Sequence, residues 1–116
     1  MDSKTSASLD ASEALSARGA TAPRVSLDDM NAAIHSEHYI NAGQAVGEGL
    51  FASPLGLMTI CFLTMRNGFV VLGKSAPASP ENYDEAKGRT FAREDAIRQL
   101  WPLMGFSLRD RLAQAA

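Results

Sequence analysis

Little in this sequence is suited to redox, metal or nucleic-acid chemistry. Cys61 is its one cysteine, so no internal disulfide can form, and its place in an apolar run marks it as a small core residue. His35 and His38 are the only histidines. They stand three apart, as on a shared helical face, but no second set of Cys, His or carboxylates lies at metal-ligand spacing. Lys and Arg number 11 against 13 Asp and Glu, for a formal net charge of −2 and a pI near 5.6. That balance excludes a binder that works by neutralising nucleic-acid phosphates, which needs a concentrated basic face. The longest apolar run, Leu55 to Met65, is interrupted and too short to span a bilayer, and no basic segment followed by an apolar stretch opens the chain. The expectation is a cytoplasmic protein with no membrane association.

The glycines at 43, 47 and 49 form no GxGxxG between a strand and a helix, and no GxxxxGK[ST] occurs. Nor is there a recognisable nucleophile with an acid/base partner. These absences argue for a protein that is not an enzyme and needs no cofactor.

What is present fits one domain of 116 residues. Met1 to Pro23 is rich in Ser and Ala with few large apolar residues, which predicts a disordered tail at 1–23 with at most a transient helix near Ala11 to Arg18. A single α+β domain is expected over 24–114. Ser26 with Asp29 reads as a capping box with Asp in place of Glu, and Leu27, Met30 and Ile34 recur on one side of a short helix reaching about Ser36. From His38 to Pro54 the pattern fades into a loop, with a short strand at Tyr39 to Asn41.

Two runs of strand character, Leu57 to Met65 and Phe69 to Leu72, flank Arg66-Asn67-Gly68. Asn-Gly suits a type I′ turn, in which both central residues take positive φ. A two-residue loop of that kind places Arg66 opposite Phe69, Thr64 opposite Val71 and Phe62 opposite Gly73, and turns Met65, Leu63 and Cys61 toward Val70, Leu72 and Lys74. Both faces of this antiparallel hairpin, the nucleus of a small sheet, are then apolar, so each needs a cover.

The prolines at 77 and 80 separate the hairpin from a long helix that opens at Asn82 or Pro80. Ala92, Ala96 and Leu100 give it a narrow face on which a sheet can approach closely. Pro102 is expected to end or kink it near Trp101, with a short C-terminal helix capped by Ser107 and Asp110.

The run Arg66-Asn67-Gly68-Phe69, Gly73-Lys74-Ser75-Ala76, Ser79-Pro80-Glu81-Asn82-Tyr83-Asp84, Gly88, Ala92 and Leu100-Trp101-Pro102-Leu103-Met104-Gly105-Phe106 resembles the phage gene-49/gene-66-like small proteins. Ser36-Glu37-His38-Tyr39 also fits, and the likeness covers about Ser26 to Leu112. Ala76-Pro77-Ala78 and Met104 depart from the family pattern, where a cysteine and an acidic residue are expected. The same order of motifs is similar to that of the phage sponges that counter Thoeris immunity. That resemblance implies sequestration of a cyclic ADP-ribose isomer or a cyclic oligonucleotide at the subunit interfaces of a homo-oligomer, a dimer or hexamer, with no chemistry performed.

Seven residues are candidates for such a site. Asn82 offers two donors and an acceptor for a base edge, and equally suits a helix cap. Tyr83 can stack on a base or anchor the core. Arg89 and Arg93, four apart, can form the polar side of a pocket with Lys74 and Ser75, or pair with Glu85 and neighbouring carboxylates. Phe69 can flank a ligand or pack within the hairpin. The competing class is an interaction module that uses an exposed sheet face to bind another protein.

Overall fold

A computed structural model of the chain describes residues 6–116. Its elements, in order, are helix α1 (Ala7–Ala17), helix α2 (Leu27–Ala33), strand β1 (Ile34–Asn41), the single turn α3 (Ala42–Ala45), a 3-10 turn (Pro54–Leu57), strands β2 (Thr59–Met65) and β3 (Val70–Ser75), a second 3-10 turn (Pro80–Asn82) and helix α4 (Glu85–Ala115). The strands form an antiparallel sheet in the order β1-β2-β3. α4 covers one face and the other is open, which bears out the expected α+β class.

α2 begins as its sequence predicts. Ser26 Oγ accepts from Asp29 N at 3.0 Å and Asp29 Oδ2 accepts from Ser26 N at 2.9 Å, so two amides of the first turn are satisfied reciprocally. The helix ends at Ala33, three residues short of expectation. Ile34 turns into β1 and stays inward, 8% exposed, opposite Met65. The strand then runs eight residues where only three were expected, because the ladder with β2 outweighs local helical periodicity.

The hairpin forms, but one residue out of the expected register. Thr64 pairs with Val70, Leu63 with Val71, Phe62 with Leu72 and Cys61 with Gly73. The loop has three residues: Met65 N donates to Phe69 O at 2.8 Å, Gly68 N donates to Met65 O at 2.9 Å, and Gly68 alone takes positive φ, at 90°. Asn67 does not. Its Oδ1 accepts from Phe69 N at 3.0 Å, locking the turn from its side chain. A one-residue slip exchanges which side chains share a face. In the observed register Cys61, Leu63, Met65 and Val71 all point at α4 and are buried, while Phe62, Val70 and Leu72 point away.

α4 lies close to β3 because both surfaces are small at the crossing. A Cβ at Gly73 would stand 2.1 Å from Ala92 O, and Ala92 and Ala96 are fully buried there. The helix does not open at Asn82. Asp84 is its N-cap, accepting from Lys87 N at 3.0 Å. Nor does it stop at Pro102, which removes the bond that Arg98 O would receive while the stripe Leu100, Met104, Leu108, Leu112 runs on at four-residue spacing. No separate C-terminal helix exists, and Ser107 and Asp110 lie inside α4. Beyond Leu100 none of its residues is buried; Trp101 and Met104 still pack against the core, and the turns after them form an arm. The arm stretches the molecule to 55 × 28 × 20 Å and the radius of gyration to 16.4 Å, against roughly 13 Å for a compact chain of this length.

Where composition suggests a tail, the structure places α1. Ser6 caps it by accepting from Leu9 N, and Leu9 is 2% exposed in the main apolar cluster. Two leucines in a Ser/Ala-rich stretch, of which only Leu9 is buried, are too weak a compositional signal to announce docking. The first five residues of the predicted tail lie outside the described residues.

Candidate functional site

At the end of the sheet where β1 finishes and β2 begins, a cavity of about 440 Å³ opens between the sheet, the start of α4 and the loop after α3. Tyr39, Asn41, Gln44 and Thr59 line it from the sheet side, with Leu50 from the loop; Tyr83, Glu85 and Arg89 line it from the helix side. That volume lies within the range of small-molecule sites. Four of the lining residues arrive through long-range pairing: Tyr39, Ile40 and Asn41 stand opposite Cys61, Ile60 and Thr59 across the β1-β2 ladder.

Arg89 sits over the ring of Tyr39, its Cζ 5.3 Å from the centroid, and holds Glu85 at 2.9 Å. The guanidinium therefore combines a stacking partner with a half-exposed ion pair. Such a pair contributes little to stability, which leaves Arg89 free to exchange partners. Asn41 donates from Nδ2 to Gly56 O at 2.8 Å and to Tyr83 OH at 3.4 Å, and its Oδ1 accepts from Gln44 N at 3.1 Å. Tyr83 meets the edge of Phe51 at 5.4 Å with the rings 84° apart. Phe51 has φ 66°, the sole positive φ of a non-glycine among the described residues. An aromatic held in that region stores roughly 1–3 kcal/mol of strain, sustained by the packing around it. Part of that packing is Gly56, where a Cβ would come within 2.6 Å of Phe51 N.

Behind the cavity is a buried polar chain. Tyr39 OH donates to Glu37 Oε1 at 2.9 Å, Arg93 Nε donates to Glu37 Oε2 at 3.0 Å, and Arg93 Nη2 donates to Asn31 Oδ1 at 2.6 Å. Arg93 is 1% exposed, so its charge depends wholly on these partners. The chain ties α4, α2 and β1 together and fixes the Tyr39 ring on which Arg89 rests.

The seven residues predicted from sequence do not gather at one place. Tyr83 and Arg89 line the large cavity. Ser75, Asn82 and Tyr83 line a neighbouring cavity of about 200 Å³, so Tyr83 stands between the two. Asn82 is exposed in the second 3-10 turn and caps nothing in α4. Phe69 lines a third hollow, about 350 Å³, with Met65, Leu100, Leu103 and Met104 near the hairpin loop. Lys74 is exposed at the end of β3, where its backbone N donates to Asp95 Oδ2 at 2.9 Å. Arg93 is turned inward to Glu37 rather than toward a cavity. Tyr39, Asn41 and Gln44, which line the large cavity, and Phe51, which braces Tyr83, were missed, because their stretch reads as a loop until β1 is paired with β2.

Cys61 offers no nucleophile. It is fully buried, and burial pushes its thiol up to about 11, against a smaller opposing effect from the Tyr39 hydroxyl. Among the described residues no three His, Cys, Asp or Glu side chains stand together as a metal site, and no helix is long and apolar enough to cross a membrane.

An open three-stranded sheet backed by one long helix, with a cavity lined by aromatic and polar side chains at its end, defines a small α+β domain. The chain belongs to the phage protein family described as N4 Gp49/phage Sf6 gene 66, the match spanning residues 25–112. No match was found among curated proteins or among solved structures.

Proposed function

We propose that this phage protein binds a nucleotide-derived signal of the host's anti-phage defence, a cyclic ADP-ribose isomer or a cyclic oligonucleotide, and sequesters it unchanged in the cytoplasm of the infected cell. The observation that carries this reading is the convergence of Tyr39, Tyr83, Asn41, Gln44 and Arg89 on one cavity of about 440 Å³. Aromatic faces stack on bases, carboxamides match donor and acceptor edges, and a guanidinium grips phosphate oxygens. The volume suits a nucleoside-sized portion of such a ligand, and a second subunit of a homo-oligomer would enclose the rest. Asn82 and Ser75, in the adjoining cavity, extend the polar surface toward that portion. Glu85 opposes an anion, so binding requires Arg89 to leave it.

Isothermal titration of the full chain with cyclic ADP-ribose isomers and cyclic di- and trinucleotides tests the reading. Tight binding by the parent, weakened tenfold or more by Arg89→Ala and strengthened by Glu85→Gln, supports it. Silence across the panel from a folded sample removes it.

A second reading rests on the open sheet face, where Val70 is 47% and Leu72 49% exposed beside Phe62. An apolar surface of this kind fits a protein-binding module. Binding of the nucleotide panel by a protein that is monomeric at working concentration would argue against this face being the functional one.

A further inference from the structure

α1 stands outside the family match, which begins at Val25, yet it is docked on the matched domain. Its hold is narrow. Leu9 is its one buried residue, set in the cluster that contains Leu27 and Met30 of α2 and Ile97 and Leu100 of α4, whereas Leu15 is 67% exposed. At its start Ser6 Oγ donates to Glu94 Oε1 at 2.6 Å, and Arg98 donates to Ser8 Oγ. Near its middle Glu13 pairs with Arg24 at 2.6 Å and accepts from Leu27 N. The chain is next fastened at Val25, whose carbonyl accepts from Trp101 Nε1 at 3.0 Å. Between the fastenings, residues 18–23 belong to no helix or strand, and Gly19 takes φ 69°.

We propose that α1 is a tethered strap: it closes over an apolar groove between α2 and α4 and opens as a unit while the matched domain behind it stays folded. The groove's occupant is the chain's own residues 6–17, recognised by a hydroxyl at the helix cap, set on Glu94, and a leucine three residues on. An eleven-residue helix is too short to persist alone in water, so opening and unfolding of α1 are one event. One leucine, one buried cap hydroxyl and a few part-buried polar contacts make a small site. A short tether closes it, because a short flexible linker holds its end at a millimolar effective concentration. This inference is independent of the ligand reading, and a failure of either leaves the other standing.

Hydrogen–deuterium exchange of the full chain, read by mass spectrometry, separates the strap from the domain. In the parent, amides of α1 are expected to exchange at least 100-fold faster than those of β2, yet measurably slower than in a free peptide of residues 6–18. Leu9→Ala should speed exchange in α1 roughly 30-fold, equivalent to about 2 kcal/mol at 1.4 kcal/mol per decade, and leave β2 unchanged. Inserting twenty Gly/Ser residues between Gly19 and Ala20 lengthens the free tether about fourfold. Effective concentration falls as roughly the −3/2 power of length, so exchange in α1 should rise about tenfold. Leu15→Ala should change neither region. Exchange of α1 in step with β2, or equal acceleration of both by Leu9→Ala, would make α1 part of the core and overturn the proposal. Peptide-like exchange of α1 in the parent, or no response to the insertion, would overturn it as well.

Discussion

Replacing Gly73 by alanine tests the crossing of α4 over the sheet, on which the rest of the fold depends. Gly73 does not have positive φ, so alanine is compatible with its backbone, and reduced freedom of the unfolded chain should stabilise by about 0.4–1 kcal/mol. Against that stands the contact. The new Cβ would lie 2.1 Å from Ala92 O, 2.4 Å from Ala96 N and 2.8 Å from Ala96 Cβ. Carbon contacts settle near 3.5–4.0 Å, so α4 would have to retreat by roughly 1 Å or more, and a gap of that size forfeits a quarter to a half of each dispersion well along the seam. Overpacking costs about 1–3 kcal/mol, and the upper end applies because the two nearest atoms are backbone and cannot swing aside. The net effect, about 2–3 kcal/mol, is large beside a total of roughly 6–17 kcal/mol for a chain of this length. Urea unfolding followed by far-UV circular dichroism should show a lower midpoint with an unchanged slope. Ala96→Gly added to Gly73→Ala should not restore it, since the clash with Ala92 O and Ala96 N remains. Stability of Gly73→Ala within 0.5 kcal/mol of the parent would refute the close approach.

Three further outcomes are expected. Arg93→Met leaves Glu37 half-buried without its guanidinium and should cost about 3–5 kcal/mol in urea unfolding, while Arg93→Met with Glu37→Leu should recover much of that loss; an unperturbed single variant would show that the pair is solvated. The raised Cys61 thiol contributes stability that is complete below pH 9.0 and is lost as pH rises from there through about 11. Alkaline melting curves of parent and Cys61→Ala should therefore converge over that window, and iodoacetamide at pH 8 should label Cys61 only through unfolding. Asp29 is held below its ordinary 3.8, first by the Ser26 amide and then by the Ser26 hydroxyl, so its contribution is present above pH 3.8 and fades as pH falls through the lowered value. The melting temperatures of the parent and Asp29→Ala should differ at pH 7 and meet in acid; a constant difference down to pH 2 would point away from the capping box.

The parts legible in the sequence are those settled by neighbours along the chain. Ser26 and Asp29 cap α2 because the motif is local, and the Ala92, Ala96, Leu100 stripe on α4 meets the sheet as its spacing implies. The hairpin was legible as a hairpin but its register was not. Asn67-Gly68 supports a two- or a three-residue loop, and the choice falls to whichever pairing gathers Cys61, Leu63, Met65 and Val71 under the helix. β1 was hidden because Glu37 occupies an inward position as a charge, satisfied by Arg93 fifty-six residues away. The site was half visible for the same reason. Tyr83 and Arg89 belong to a recognisable helix start, whereas Tyr39, Asn41 and Phe51 converge only once the β1-β2 ladder and the loop after α3 are in place. Pro102 misled because its penalty is confined to one bond, in a helix whose neighbouring turns are already secured.

α4 also decides how the molecule rotates. At 1.5 Å per residue its 31 residues run roughly 46 Å, longer than either short dimension, so the helix must lie near the long axis. Its N–H bonds are then aligned with that axis and report mainly end-over-end tumbling, while those of the sheet sample the faster spin about it. Nitrogen-15 relaxation should consequently divide the backbone into two families of apparent correlation time in a rigid body, a difference easily mistaken for slow exchange in α4. The size of that division reads out the effective length of the particle, and a second copy packed beside the arm would shrink it.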